Sequence, residues 1–264
     1  MNATIRRHPL VAYYVLAFGL SVTLALLLNV SLIFGLLALF GPAAAAVAVT
    51  GSTEGRAGLA ALRSATTRWR VHPAWYLAAV GLPIAGYALS HLVYVAAGNE
   101  PRSIPGAVEP IAVLLFFLVI GEEIGWRGFL LARLLRDRSP LVATAIVAAA
   151  WAIWHSPLYL VPGMPSYGQP FLAFIAWVIP ISVLLTWLWI KTRSVWLATI
   201  MHGTLNLGAS LVFPLADPGQ LFTFSAIGMG LVAAGLVLSS WRQWTTRPLA
   251  PPIPAPSPAV PVTT

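Results

Sequence analysis

From Pro9 to Thr53 the chain carries no Asp, Glu, Lys or Arg. A helix spanning the hydrocarbon core of a bilayer needs about 20 apolar residues, and this block is long enough for two. A soluble domain carries about 25% charged and roughly 45–50% apolar residues. Here 8% of 264 residues are charged and 59% are hydrophobic, too few charges to solvate a surface of this size. The expected fold class is therefore all-α, a polytopic membrane helical bundle. A soluble Rossmann or barrel enzyme is excluded. So is a nucleic-acid partner, because the net charge of +8 has a simpler explanation in membrane topology.

The apolar runs place about eight transmembrane helices, near 9–28, 31–50, 74–97, 107–131, 140–161, 170–190, 194–213 and 220–241. The first block splits near Asn29. With the N-terminus inside, thirteen of the fifteen bases fall on the cytoplasmic side, Arg102 lies in an outer loop and Arg127 lies within a span. An odd number of spans scatters the bases over both faces, so both termini are expected to be cytoplasmic. Arg6 and Arg7 precede an apolar run too long for a signal peptide, which reads as a retained first helix. Residues 1–247 form a single membrane-embedded domain in this reading. The stretch 55–72, with Arg56, Arg63 and Arg70 spaced by seven, suits a helix lying at the inner interface. Residues 248–264 hold seven prolines and are expected to be a disordered or polyproline-like cytoplasmic tail. Cysteine is absent, which removes disulfides, thiolate zinc sites and a cysteine nucleophile.

Ionisable groups are costly in lipid, so each one inside a span is a candidate for function. They fall in three segments. The first is Gly121-Glu122-Glu123-Ile124-Gly125-Trp126-Arg127-Gly128. At 100° per residue Glu123 and Arg127 share a face in the favourable acid-before-base order, which predicts an ion pair. Glu122 lies off that face, with a carboxylate left for chemistry. Gly121, Gly125 and Gly128 line another face and allow a neighbouring backbone to approach. The second segment contains Trp151 and His155, four apart, so the indole is expected beside the imidazole; Pro157 frees a backbone carbonyl next to them. The third holds His202 and Asn206, again four apart and on one face. His8, His72 and His91 read as interface or packing residues. At 1.5 Å per residue from the inner arginines, Glu122 lies about 16 Å deep, His202 about 14 Å and Asn206 about 20 Å. His155 lies about 25 Å deep on the same count, so the fifth helix must start late or tilt to share the site.

A buried glutamate can act as general base on water, and His or Asn N–H groups can stabilise a carbonyl oxyanion. Other intramembrane proteolytic chemistries lack their residues. No histidine precedes a glutamate, so H-E-x-x-H is absent. The only aspartates, Asp137 and Asp217, fall in loops, and no G-x-S-G occurs. A glutamate enzyme survives.

The pattern E-E-x-x-x-R (Glu122, Glu123, Arg127), aromatic-x-x-x-H (Trp151, His155) and H-x-x-x-N (His202, Asn206) resembles the three motifs of the CAAX protease and bacteriocin-processing family, also called Abi. This is a family of intramembrane endopeptidases that includes the CAAX prenyl endopeptidases. The resemblance covers about 110–215, and a protease core of about 107–215 follows from it. It implies that Glu122 and His155 position and activate water, and that His202 and Asn206 form the oxyanion site. Glu123 and Arg127 would support Glu122. Trp151 stands where the family usually has phenylalanine, and a larger ring is expected to narrow the pocket. No cofactor is favoured; if a divalent metal such as zinc is present, Glu122, His155 and His202 are its expected ligands.

The expected partner is a membrane-associated peptide or protein substrate, with the lipid bilayer as surroundings. Nothing in the residues sets an oligomeric state. Arginine- and alanine-rich usage points to a multi-pass protein of a bacterial cytoplasmic membrane. Two other functions use the same residues. A non-catalytic binding or bacteriocin-immunity protein of the same fold keeps the bundle without needing Glu122. A proton-coupled transporter also uses Glu, Arg and His relays, but the chain lacks the internal repeats such folds carry.

Overall fold

The computed structural model describes residues 2–28, 30–100, 110–164, 166–211 and 218–246. Among these every regular element is helical. A short α1 (Asn2–Arg7) leads into α2 (Pro9–Leu26), with Pro9 at the first turn, where its missing N–H costs nothing. The second sequence-defined span is split into α3 (Leu32–Ala38) and α4 (Gly41–Thr53), bent by 43° just before Pro42. Ser31 caps α3 by accepting the amide of Ile33. At Gly55, with φ of 63°, the chain takes a left-handed turn that glycine adopts without strain, and α5 (Gly55–Thr66) departs as a separate helix.

Then follow α6 (Ala74–Ala96), α7 (Pro110–Leu118) and α8 (Ile120–Glu123). Residues Ile124–Leu131 form a π-helix, continued by α9 (Ala132–Asp137). The remaining helices are α10 (Pro140–Leu160), α11 (Phe171–Thr192), α12 (Val195–Leu211), α13 (Pro218–Ser239) and α14 (Trp241–Thr245). The bundle pairs α2 with α4, α6 with α12 and α13, and α11 with α10 and α13. Among the candidate spans α11 is the most enclosed.

The chain is a multi-pass integral membrane protein. Among the described residues five helices are long and apolar enough to cross a bilayer, or six when the bent α3–α4 pair counts as one span. The stretch near 107–131, described from Pro110 on, is broken at Val119 and widens into the π-helix, and α12 is described as far as Leu211. The expected split near Asn29 falls in the break between α2 and α3. Arg102, Glu109, Asp217 and the proline-rich tail lie outside the described residues.

Basic segments distant in sequence meet at one end of the bundle. Arg6 Nε donates to the Ser52 carbonyl at 3.1 Å. Arg133 and Arg136 reach Glu54 at 2.7 and 3.7 Å. Ser194 Oγ donates to the Arg68 carbonyl at 2.5 Å, and Lys191 Nζ to Gln243 Oε1 at 3.0 Å.

The glycines of the 121–128 segment are used as expected, for close approach. A Cβ on Gly121 would meet the Leu39 carbonyl and the Phe40 ring at the α3–α4 bend, and one on Gly125 would strike Pro42 and lie 2.6 Å from Tyr13 Oη. Gly125→Ala should therefore destabilise the bundle by about 1–3 kcal/mol, the usual cost of overpacking. Thermal unfolding of the detergent-purified protein tests this, and an unchanged midpoint would show that α2 and α4 can yield.

Candidate active site

The helical stretch 120–131 carries Glu122, Glu123 and Arg127, α10 carries Trp151 and His155, and α12 carries His202 and Asn206. The expected ion pair forms: Arg127 Nη1 donates to Glu123 Oε1 at 2.8 Å, and neither side chain has any exposed surface. The same Oε1 meets His202 Nδ1 at 2.8 Å. Glu123 thus joins α12 to the helix that carries the acids. The helix between the two acids and Gly128 is not regular, because a π-helix begins at Ile124. Such wide turns recur at functional sites, and the regular 100° wheel does not reveal them.

Glu122 has a different neighbour. Its Oε2 accepts the indole N–H of Trp151 at 2.7 Å, and Glu122 is nearly closed to solvent. That hydrogen bond is neutral at the donor and engages one of the two oxygens. Trp151 is the hub of the cluster. Its ring lies 4.8 Å below the Arg127 guanidinium, 5.0 Å from the His202 ring and 5.8 Å from that of His155, the latter two edge-on. A guanidinium over a desolvated indole is attracted by the ring quadrupole.

The hydrogen-bond pattern assigns the ring protons. His155 Nδ1 lies 2.9 Å from the Trp151 carbonyl, which only accepts, so Nδ1 carries the proton and Nε2 a lone pair in the neutral ring. His202 Nδ1 donates to Glu123 in the same way, and its Nε2 donates only when the ring is an imidazolium. His155 and Asn206 are half-buried, whereas Glu122 and His202 are buried. A cavity of about 100 Å³ lined almost wholly by apolar side chains of α2, α3 and α10, including Val22, Leu39 and Leu158, reaches His155.

The sequence-based depth count separates His155 from the other groups, yet its ring sits against the same indole. A late start of the helix is not the reason, since α10 begins at Pro140 and runs through Pro157 to Leu160. Trp151 bridges the gap, standing one turn before His155 and reaching Glu122 across helices. Trp154 and Phe174 close the other sides of His155, at 4.7 and 5.0 Å between ring centres.

Tyr13 of α2 is a neighbour that sequence reasoning misses. It is fully buried, stacks on Phe129 at 4.5 Å and meets Trp126 edge-on at 5.9 Å. Among the described residues its hydroxyl, Glu123 Oε2, and Nε and Nη2 of Arg127 have no hydrogen-bond partner. Nothing in a charge-free apolar run marks one tyrosine over another.

Among the described residues no group of three or more His, Asp or Glu side chains is disposed to hold a metal ion. Glu122, His155 and His202 come together around an indole, with one oxygen of Glu122 and one nitrogen of each imidazole already engaged. One donor atom of each residue lies outside these hydrogen bonds, and no step below passes through a metal.

Residues 104–208 match the family model described as Type II CAAX prenyl endopeptidase Rce1-like. A protein named CAAX prenyl protease 2 from Methanococcus maripaludis is 30% identical over 141 residues, which make up 49% of this chain and 49% of that protein. The aligned stretch thus spans about half the length of the relative. The resemblance carried by the three motifs is borne out by both matches, and the matched segment contains Glu122, Glu123, Arg127, Trp151, His155, His202 and Asn206.

Removing one partner from a buried ion pair costs about 3–5 kcal/mol, because the other charge is left without compensation. Arg127→Ala should accordingly lower the unfolding midpoint steeply, and Arg127→Lys, which keeps the charge, should lower it less. Equal stability of Arg127→Ala and the parent protein would contradict the pairing.

Proposed function

We propose that the chain is an intramembrane endopeptidase in which Glu122 activates water for attack on a peptide bond. The reading rests on one observation: Trp151 holds Oε2 of a buried Glu122 at 2.7 Å, and the same indole lies 5.0 Å from the His202 ring and 5.8 Å from the His155 ring. The match of the surrounding segment to CAAX prenyl endopeptidases supports it. In the proposed cycle Glu122 Oε1 takes a proton from water while His155, through Nε2, orients that water. The oxygen of the water bonds to the scissile carbonyl carbon. Asn206, and His202 as an imidazolium, donate to the oxyanion as it forms. Glu122 then returns the proton to the leaving nitrogen as the C–N bond breaks. Glu123 and Arg127 hold His202 and the helix, and touch no reacting atom.

The substrate proposed is a membrane-associated peptide or protein; the relative's own name refers to CAAX prenyl substrates. In the same reading all eight apolar segments cross the bilayer, with both termini and the basic end in the cytoplasm. The contacts that gather the basic segments at one end support this topology.

Glu122→Gln should reduce peptide cleavage by roughly 10²–10⁴-fold, the usual worth of a general base, with the unfolding midpoint unchanged. Trp151→Phe keeps the ring and removes the N–H, and should lower kcat more than it changes KM. Cleavage by Glu122→Gln at the parental rate would leave the non-catalytic binding protein as the better reading.

Activity should also survive strong chelators, since every step is assigned to a side chain. If zinc restored activity to a chelated and inactive enzyme, the mechanism would need a metal.

A further inference from the structure

A second cavity, of about 300 Å³, lies at the basic end of the bundle, and Glu122, His155 and His202 take no part in its walls. Arg68, Arg133, Arg136 and Arg193 line it together with Glu54 and Trp189. Four arginines and the Glu54 carboxylate thus share the lining. That carboxylate is already shared, at 2.7 Å with Arg133 and 3.7 Å with Arg136. Arg133 is fixed in place: it also donates to Thr50 Oγ1 at 3.2 Å and to the Phe129 carbonyl at 3.3 Å, and stacks on the Phe129 ring at 3.7 Å.

Two further features point to a ligand. Trp189 is almost wholly buried, and its indole N–H has no hydrogen-bond partner among the described residues. Arg193 closes α11 with φ of 52°, the only left-handed residue other than glycine among those described. Glycine serves such a position with less strain, so an arginine there brings a cation to the cavity at a backbone cost. Burial pushes the Arg133 and Arg193 guanidinium groups below their usual range, and a bound anion offsets that penalty.

We infer that this cavity binds a phosphate group, with the phosphodiester of an anionic phospholipid as its favoured source. Guanidinium forks match phosphate oxygens in pairs, and basic pockets between membrane helices at the cytoplasmic side suit anionic headgroups. The volume equals that of about ten water molecules, at roughly 30 Å³ each, which is more than a bare oxyanion fills. Gly128 and Ala132 also line it, on the helical stretch that carries Glu122. The inference is independent of the proteolytic reading, since it needs no reaction at Glu122.

The test is lipid retention by the full chain in native mass spectrometry, after equal exposure to phosphatidylglycerol and phosphatidylcholine with the same acyl chains. Phosphatidylglycerol should be retained in roughly tenfold preference. Arg68→Gln/Arg193→Asn should bring the two lipids close to parity; asparagine suits the left-handed position, so the fold is kept. Arg56→Gln/Arg63→Gln, outside the cavity walls, should leave the preference intact. A second arm titrates inorganic phosphate into protein held in phosphatidylcholine nanodiscs and follows the unfolding midpoint. A rise lost in Arg68→Gln/Arg193→Asn supports the phosphate site with a soluble source. A lipid preference with no such rise supports the headgroup. Neither effect in the parent protein, or equal loss in the Arg56/Arg63 control, overturns the site.

Discussion

Glu123 and Arg127 have no exposed surface, and each ion costs several kcal/mol to remove from water. That cost dictates what surrounds them. Arg127 gives one N–H to Glu123 and lays its plane over the Trp151 ring, while His202 gives its Nδ1 proton to the same carboxylate oxygen. The acid-bearing helix, α10 and α12 are held together through one carboxylate and one indole. Because Glu123 takes the donors of both Arg127 and His202, the adjacent Glu122 is left with a neutral donor. Two neighbouring carboxylates thereby acquire different partners: Glu123 meets a guanidinium and an imidazole, Glu122 a single neutral indole N–H.

Such a cluster persists only if helices come close enough to share it. Gly121 and Gly125 let the α3–α4 bend and Tyr13 lie directly against the acid-bearing helix. On α12, Gly203 does the same for the Phe116 ring of α7. In lipid, where apolar burial between helices gains little, close backbone approach and interhelical hydrogen bonds supply the attraction. The π-helix at Ile124–Leu131 belongs to the same economy of space, since it widens the turn where Trp126, Arg127 and Phe129 all have to be buried.

The residues legible in the sequence are those whose type is rare in their surroundings. A glutamate, an arginine or a histidine in an apolar span stands out because burying it is costly, and the helix period then pairs Glu123 with Arg127 and Trp151 with His155. Tyr13 was not legible, because a tyrosine in an apolar run is ordinary and its role depends on a glycine more than a hundred residues away. The π-helix was not legible either, since a regular wheel presupposes 3.6 residues per turn. The helix break at Val119 was hidden for a related reason: hydropathy measures how apolar a stretch is, not whether its backbone runs straight.

Trp151 shows how a departure from a family pattern reads differently once contacts are known. Taken as a larger ring in place of phenylalanine, it suggests a narrower pocket. In the structure the ring is almost completely buried and its added atom that matters is nitrogen, whose hydrogen goes to Glu122. A phenylalanine ring has no such donor, and a carboxylate without one in a low-dielectric site pays a desolvation penalty of its own. The indole N–H therefore meets the Glu122 carboxylate at one oxygen and sets its orientation. Packing and chemistry meet in one side chain: the ring that fills the space between Arg127, His155 and His202 also aims the carboxylate they surround.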